Sequence, residues 1–262
     1  KNHNKLKNLT REIDESNRKY VFNSLEDIDI DNEEAVKASL LANLNKATDF
    51  IQRITNGDYG VRWEGMNDTN REVNKGNIAG ELIRMREQMK QVTEQDRIRM
   101  WTNEGLSKFG DIIRMHQDNF DALSDTLISN VAKYVDAKVG GLYIVEEDKE
   151  SGSKFLNLSA CYAYDRKKFT DRKIGIDEGL IGQAYLEGQT INLRKVPDDY
   201  ITITSGLGEI NPSSIILIPL KVNEKVEGVL ELASLKSFAP YEIEFLEKLG
   251  ETLASSIVSI RT

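Results

Sequence analysis

The chain has 262 residues, 39% hydrophobic and 30% charged, with a formal net charge of −8. That length holds one large domain or two small ones plus linkers, and the negative balance argues against nucleic acid as the main partner, because phosphate binding needs clustered Lys and Arg. One cysteine, Cys161, excludes an intrachain disulfide and a Cys-based zinc site, and two histidines, His3 and His116, leave almost no material for His-dependent metal or triad chemistry.

Sparse cysteine fits a reducing cytosolic compartment. No apolar run reaches the roughly 18 residues of a transmembrane helix, and no signal peptide is present. The chain begins at Lys1 rather than Met and reads as a piece of a longer protein. Residues 1–22 read as a helix, and Lys1, Lys5, Lys7 and Arg11 suit the cytoplasmic edge of a membrane span lying upstream, or equally a solvated helix face. Residues 23–34 form an acidic break. Asp27, Asp29 and Asp31 alternate like a calcium loop, but Asn32 and Ala38 stand where Gly and Glu are needed, so the stretch reads as a solvated loop.

A helix follows from Glu33 to Thr55, with Leu40, Leu44, Ala47, Ile51 and Ile54 in a heptad seam, and stops at Asn56-Gly57. Residues 58–76 are polar and irregular, with Tyr59, Val61 and Trp63 alternating as a short extended piece. A second seam is Ile78, Leu82, Met85, Met89 and Val92. Neither narrow stripe can be buried alone; two copies of the pair can bury both as a parallel four-helix bundle. The order helix, "NGDY", connector, "AGELIRMREQM" resembles a HAMP domain, the relay found just inside the membrane in bacterial receptors. Here Ile78-Ala79 replaces the usual Asp-Glu ahead of Gly80-Glu81-Leu82.

The second seam lapses at Asp96 and Arg99. A third opens at Leu106 and runs through Phe109, Ile113, His116, Phe120, Leu123, Leu127, Asn130 and Tyr134. The seams are out of register, so a coil must shift phase around residues 93–105, either as the point where rotation passes between modules or as a plain linker. His116 is followed by Gln117, not by an acidic residue, and reads as a register-setting core residue, as Asn130 does, rather than a phosphoacceptor.

From residue 136 the character changes. The spacing predicts strands at Val139–Val145 and Phe155–Tyr164, then the Gly-rich stretch Lys173–Leu193 carrying a helix over Leu180–Leu186, a cap at Gly188 and a strand at Thr190–Leu193. A Gly/Ser loop (Ser205 to Gly208), hairpin strands Ser214–Leu220 and Val226–Leu235, and a helix from Pro240 to Thr262 follow. No strand leads directly into Gly175, Gly179 and Gly182 and no Lys-Ser/Thr follows them, so they are turn and packing residues, not a phosphate cradle. The fold class is α+β: an N-terminal helical coil and a C-terminal antiparallel sheet flanked by helices. "IGIDEGLIGQAYLEGQTINL", "SIILIPLKVNEKVEGVLELAS" and "FAPYEIEFLEKLGETLASSI" closely resemble a GAF domain over about residues 130–260, and "WTNEGLSKFGDIIR" and "ACYAYDRKKF" look like GAF-bearing sensors of Bacteroidetes.

The resemblance implies a small-molecule sensor or dimerisation module. Its pocket would lie between the sheet face away from the terminal helices and a lid over about residues 196–208. Pocket candidates are Tyr143, Cys161, Tyr185, Tyr200, Ile203, Ser205, Leu207 and Ile216. A cyclic-nucleotide Asn-Lys-Phe-Asp-Glu signature is absent. Cys161 lies on a strand, followed by Tyr162, which argues against covalent bilin; no histidine follows His116 for haem; sulfoxide reduction needs more than one cysteine. No cofactor or metal is expected. What remains is a non-covalent ligand in an apolar or aromatic-lined pocket, or none. Leu246, Leu249, Leu253, Ile257 and Ile260 form a closing stripe matching the incoming helix. The expected dimer coil is Leu40, Leu44, Ile51, Leu82, Met85, Met89, Leu106, Phe109, Ile113, His116, Phe120, Leu123, Leu127, Leu249, Leu253 and Ile257.

The expected division is 1–34 juxtamembrane, 35–92 HAMP-like, 93–134 signalling coil and 135–262 GAF. The expected function is a non-catalytic relay: a homodimer on the cytoplasmic side of the inner membrane, anchored by an upstream segment, with an output domain or kinase downstream. The alternatives are an empty dimerisation block and a fragment of a sensor enzyme such as a histidine kinase.

Overall fold

The structure, a computed structural model, describes residues 5, 7, 8, 11, 12, 32–162, 173–196, 203–205 and 208–261. Most of the expected N-terminal helix, the acidic run Asp27 to Asp31, and the candidates Tyr200 and Leu207 lie outside the described residues. The chain divides into two compact units, Lys1–Arg97 and Ile98–Thr262.

In the first unit, helix α1 spans Glu33–Thr55. Asn32 starts it: its side-chain oxygen accepts from the amides of Glu34 and Ala35, which would otherwise lack partners. Gly57, at φ 86°, ends it. A short 3-10 turn, Glu72–Asn74, precedes helix α2, Ile78–Met115, whose first 20 residues belong to this unit. Asn77 caps α2 by accepting from the Gly80 amide at 3.1 Å. Glycine is required at position 80, because a Cβ there would lie 2.0 Å from the Asn74 carbonyl oxygen. The core is Phe50, Ile54, Val61, Trp63 and Ala79, with the Phe50 and Trp63 rings edge to face at 5.2 Å. The alternation in the connector thus turns Val61 and Trp63 inward, and Arg86 holds the segment by donating to the Val61 carbonyl. Much of both seams stays outside. Leu44 is 63% exposed, Ile51 41% and Met89 38%, and Ile78 and Val92 are exposed as well; Leu82 and Met85 are half-buried. The side chain of Leu40 is outside the described set.

The second unit takes the rest of α2, then α3 (Phe120–Tyr134), β1 (Val139–Glu147), β2 (Lys154–Tyr162), β3 (Lys173–Gly175), α4 (Gly179–Glu187), β4 (Ile191–Leu193), β5 (Ile203–Ser205), β6 (Gly208–Ile210), β7 (Ser214–Val222), β8 (Lys225–Ser234) and α5 (Pro240–Arg261). Six strands form one antiparallel sheet in the order β3-β2-β1-β8-β7-β4; β5 and β6 pair separately as a hairpin. Of the expected Gly/Ser loop, Ser205 ends β5 and Gly208 begins β6, and residues 206–207 lie outside the described residues. The Gly-rich stretch Lys173–Leu193 forms β3, α4 and β4, so contrary to the expectation a short strand does run into Gly175; Gly188 is left-handed at φ 59° as the helix cap.

Two residue sets alternate along the central strands. Leu142, Ile144, Ile216, Ile218, Leu220, Leu230 and Leu232 pack under α3 and α5. Val139, Tyr143, Ile215, Leu217, Val229 and Ala233 face the other way, toward α4.

The structure corrects the third seam. The helix is unbroken through residues 93–105 and stops instead at Met115. Residues 116–118 turn, with the His116 amide donating to Ile113 and the Asn119 amide to His116. Asn119 then caps α3 through the Ala122 amide. His116 is therefore a half-buried turn residue, not a mid-helix coil position. Phe109, Leu123, Leu127, Leu249, Leu253 and Ile257 are buried in the unit's own core, with Leu106, Ile113 and Phe120 partly buried beside them, so those six are covered within one chain rather than by a second copy. Fully burying each such side chain stabilises the fold by about 1.5–3 kcal/mol.

Candidate functional site

The sheet face away from α3 and α5 carries the candidate site. The register lays one row across it: Cys161 on β2 opposite Gly141 on β1, Gly141 opposite Glu231 on β8, and Glu231 opposite Leu217 on β7. A bulge puts Cys161 there. Tyr143 pairs with Leu158 but Leu142 with Ala160, so Ser159 is the extra residue and the side-chain phase of β2 reverses after it. Without the bulge Cys161 would face the helices, since β-strand side chains alternate.

The space over Gly141 is taken by the Tyr143 ring: a Cβ there would come within 2.9 Å of that ring and 3.4 Å of the Leu158 side chain. The Tyr143 hydroxyl donates to Glu231 Oε2 at 3.4 Å. Both residues are buried, Tyr143 at 1% exposure and Glu231 at 2%. Around them the face is apolar: Val139, Leu156, Leu158, Val229 and Ala233. A few polar groups on an apolar floor are what fix a small ligand's orientation.

Of the expected pocket residues, Tyr143 and Cys161 share this face. Tyr185 is half-buried against the same cluster. It also lines a groove of about 820 Å³ at the end of the sheet, with Val145, Lys221, Lys225 and Arg261. Ile216 is a correction: it packs under the helices with Ile218, because its neighbours Ile215 and Leu217 take the opposite face. Ile203 and Ser205 are on β5, with side chains outside the described set. Glu231 was not among the expected residues. Its signal was a charged residue inside the otherwise apolar run Val229 to Ala233. Among the described residues, no group of three or more His, Cys, Asp or Glu is placed to hold a metal ion, and no helix is long and apolar enough to cross a membrane.

The family model of the GAF domain matches residues 117–258. The chain belongs to the GAF domain family. Among solved structures, the GAF domain from a phosphoenolpyruvate-protein phosphotransferase of Coxiella burnetii is similar at 21% identity and a TM-score of 0.52, covering 62% of this chain and 95% of that one. The corresponding GAF domain from Acinetobacter shares 20% identity, with a TM-score of 0.48 and coverage of 60% and 93%. A free methionine-R-sulfoxide reductase from Neisseria meningitidis, solved with its substrate, shares 20% identity, with a TM-score of 0.47 and coverage of 61% and 90%. None of the curated proteins compared matches. The Coxiella likeness supports the GAF fold of the second unit and carries nothing about a ligand. GAF domains are a family of signalling and sensory modules.

Proposed function

We propose that this chain is the non-catalytic sensing and relay region of a bacterial membrane receptor. The GAF domain takes a small molecule on the Gly141 face, and the HAMP-like first unit pairs with a second copy. The observation that carries the sensing half is the buried Tyr143–Glu231 pair on an otherwise apolar sheet face, where a purely structural sheet would place two hydrophobes at less desolvation cost. The pairing half rests on the exposed seam residues Leu44, Ile51, Ile78, Met89 and Val92, a spacing suited to a parallel bundle. The receptor context, the inner-membrane location, the anchoring segment and the downstream output domain or kinase rest on the HAMP-like order of the first unit.

A thermal-shift screen with small metabolites tests the sensing half. A ligand at 100 times its Kd raises stability by about 2.7 kcal/mol. The reading expects at least one such compound, with its effect weakened in Tyr143→Phe and Glu231→Gln. Absence of stabilisation by any compound at saturation would favour the empty dimerisation block. Turnover abolished by Cys161→Ser would favour an enzyme.

A further inference from the structure

Helix α2 is polar where its seam lapses at Asp96 and Arg99, yet soon after it enters the second unit it is held by an aromatic cluster, ahead of Leu106, Phe109 and Ile113 in the core. Trp101 stacks on Tyr134 of α3, with ring centroids 4.8 Å apart and planes 23° from parallel. It meets Phe245 of α5 edge to face at 4.9 Å and Tyr241 at 5.2 Å. Two turns on, Phe109 presents its edge to Tyr134 at 5.7 Å. Between Trp101 and Phe109 lies Gly105, where a Cβ would come within 2.6 Å of the Phe245 ring and 2.7 Å of the Tyr134 ring. The two rings therefore rest on bare helix backbone.

The polar contact at this point is unusual for a helix interior. The Tyr134 hydroxyl donates to the Trp101 carbonyl at 2.6 Å. In an α-helix that carbonyl is the acceptor for the amide four residues on, that of Gly105. The phenol thus engages the helix's own hydrogen-bond ladder, at the turn that lacks a side chain. A side chain meeting the ladder in this way is one of the identifiable causes of helix bending, and a glycine at the same turn lowers the resistance to it. Aromatic stacking and the hydrogen bond also fix the contact in rotation as well as along the axis, which apolar packing alone does weakly.

We propose that Trp101, Gly105 and Tyr134 form a latch that fixes the rotation and axial position of α2 against α3 and α5, so that a displacement arriving along α2 reaches α5 through this contact. Packed helix contacts of this kind have discrete arrangements rather than a continuum, which is what a switch requires. The latch as a physical element stands on the contacts alone; its use in signalling rests on the relay reading above.

Hydrogen exchange of the whole chain, read by mass spectrometry, tests it. Tyr134→Phe keeps both rings stacked and removes the hydroxyl. Loss of that bond is expected to speed exchange of the amides at 101–109 about five-fold, while β7 and β8 keep their protection. Tyr162→Phe, a hydroxyl lost at the edge of the same core, is expected to leave 101–109 unchanged. Gly105→Ala, which leaves the hydroxyl in place but drives a methyl into both rings, is expected to speed 98–115 more than Tyr134→Phe does. Exchange at 101–109 within two-fold of wild type in Tyr134→Phe overturns the latch, as does a uniform acceleration of α3, α5 and the sheet. A metabolite that stabilises the wild-type chain while 101–109 stays unchanged in Tyr134→Phe would sink the latch and leave the sensing reading standing.

Discussion

Gly228 faces Ile144 across β1 and Leu220 across β7. A Cβ there would lie 2.4 Å from the Tyr143 carbonyl oxygen, a backbone atom that cannot move aside cheaply. Gly228→Ala should therefore destabilise the second unit by about 2 kcal/mol, read from the urea midpoint. The same change at Gly179, where nothing lies within 4 Å, meets no clash but strains a backbone held at φ 64°. Tyr134 gives a second residue-scale test. Burial pushes its phenol above the usual tyrosine value, the charge of Glu104 adds to that, and the Gly105 amide pulls the other way. The folded state holds this proton more tightly than the unfolded chain does. Its contribution is complete below the unfolded pKa of about 10 and is lost as pH rises through the folded value. Urea titrations from about pH 8 to 11 should show an alkaline loss of stability that is shallower in Tyr134→Phe; equal slopes would contradict the assignment.

At the scale of elements, chemistry at the ends decided what could be read. Asn32 and Asn56-Gly57 fix α1 to the residue, because caps act locally and leave local signatures. The hairpin β7–β8 was equally legible from its turn, where Asn223 and Glu224 take positive φ between two apolar runs. The break between α2 and α3 was not. Its four residues, 116–119, replace one helical turn, so the 3-and-4 spacing continues across it and periodicity alone cannot see it. The cap at Asn119 was the available clue. Asn119→Ala should cost about 1 kcal/mol of the second unit's stability by urea melt. Strands β3, β5 and β6, three residues each, are too short to show alternation. The misplaced Ile216 has a related cause: Ile215 to Ile218 is apolar on both faces, as buried strands are, so the sequence does not say which residue looks toward α4 and which toward α3 and α5. The site was half legible for the same reason. Tyr143 could be read, while Glu231 is recognisable as a candidate only once the register places it opposite Gly141, in reach of the Tyr143 hydroxyl.

For the whole molecule, the two units bury their apolar residues differently. The second unit closes its helical stripes against its own sheet, with Phe109, Leu123, Leu253 and Ile257 inside. The first unit closes only part of its stripe and leaves Leu44, Ile51 and Met89 facing out. An exposed apolar seam of that kind is more economically covered by a partner than by water. On the proposed function, pairing belongs to the first unit and ligand binding to the second. Native mass spectrometry of residues 1–262 at micromolar concentration reads both claims at once, in wild type and in a Leu44→Lys, Met89→Lys double variant. The account predicts a wild-type dimer that retains or takes up a small molecule, and a variant monomer that still takes it up. A wild-type monomer that takes up nothing from a metabolite mixture would contradict it.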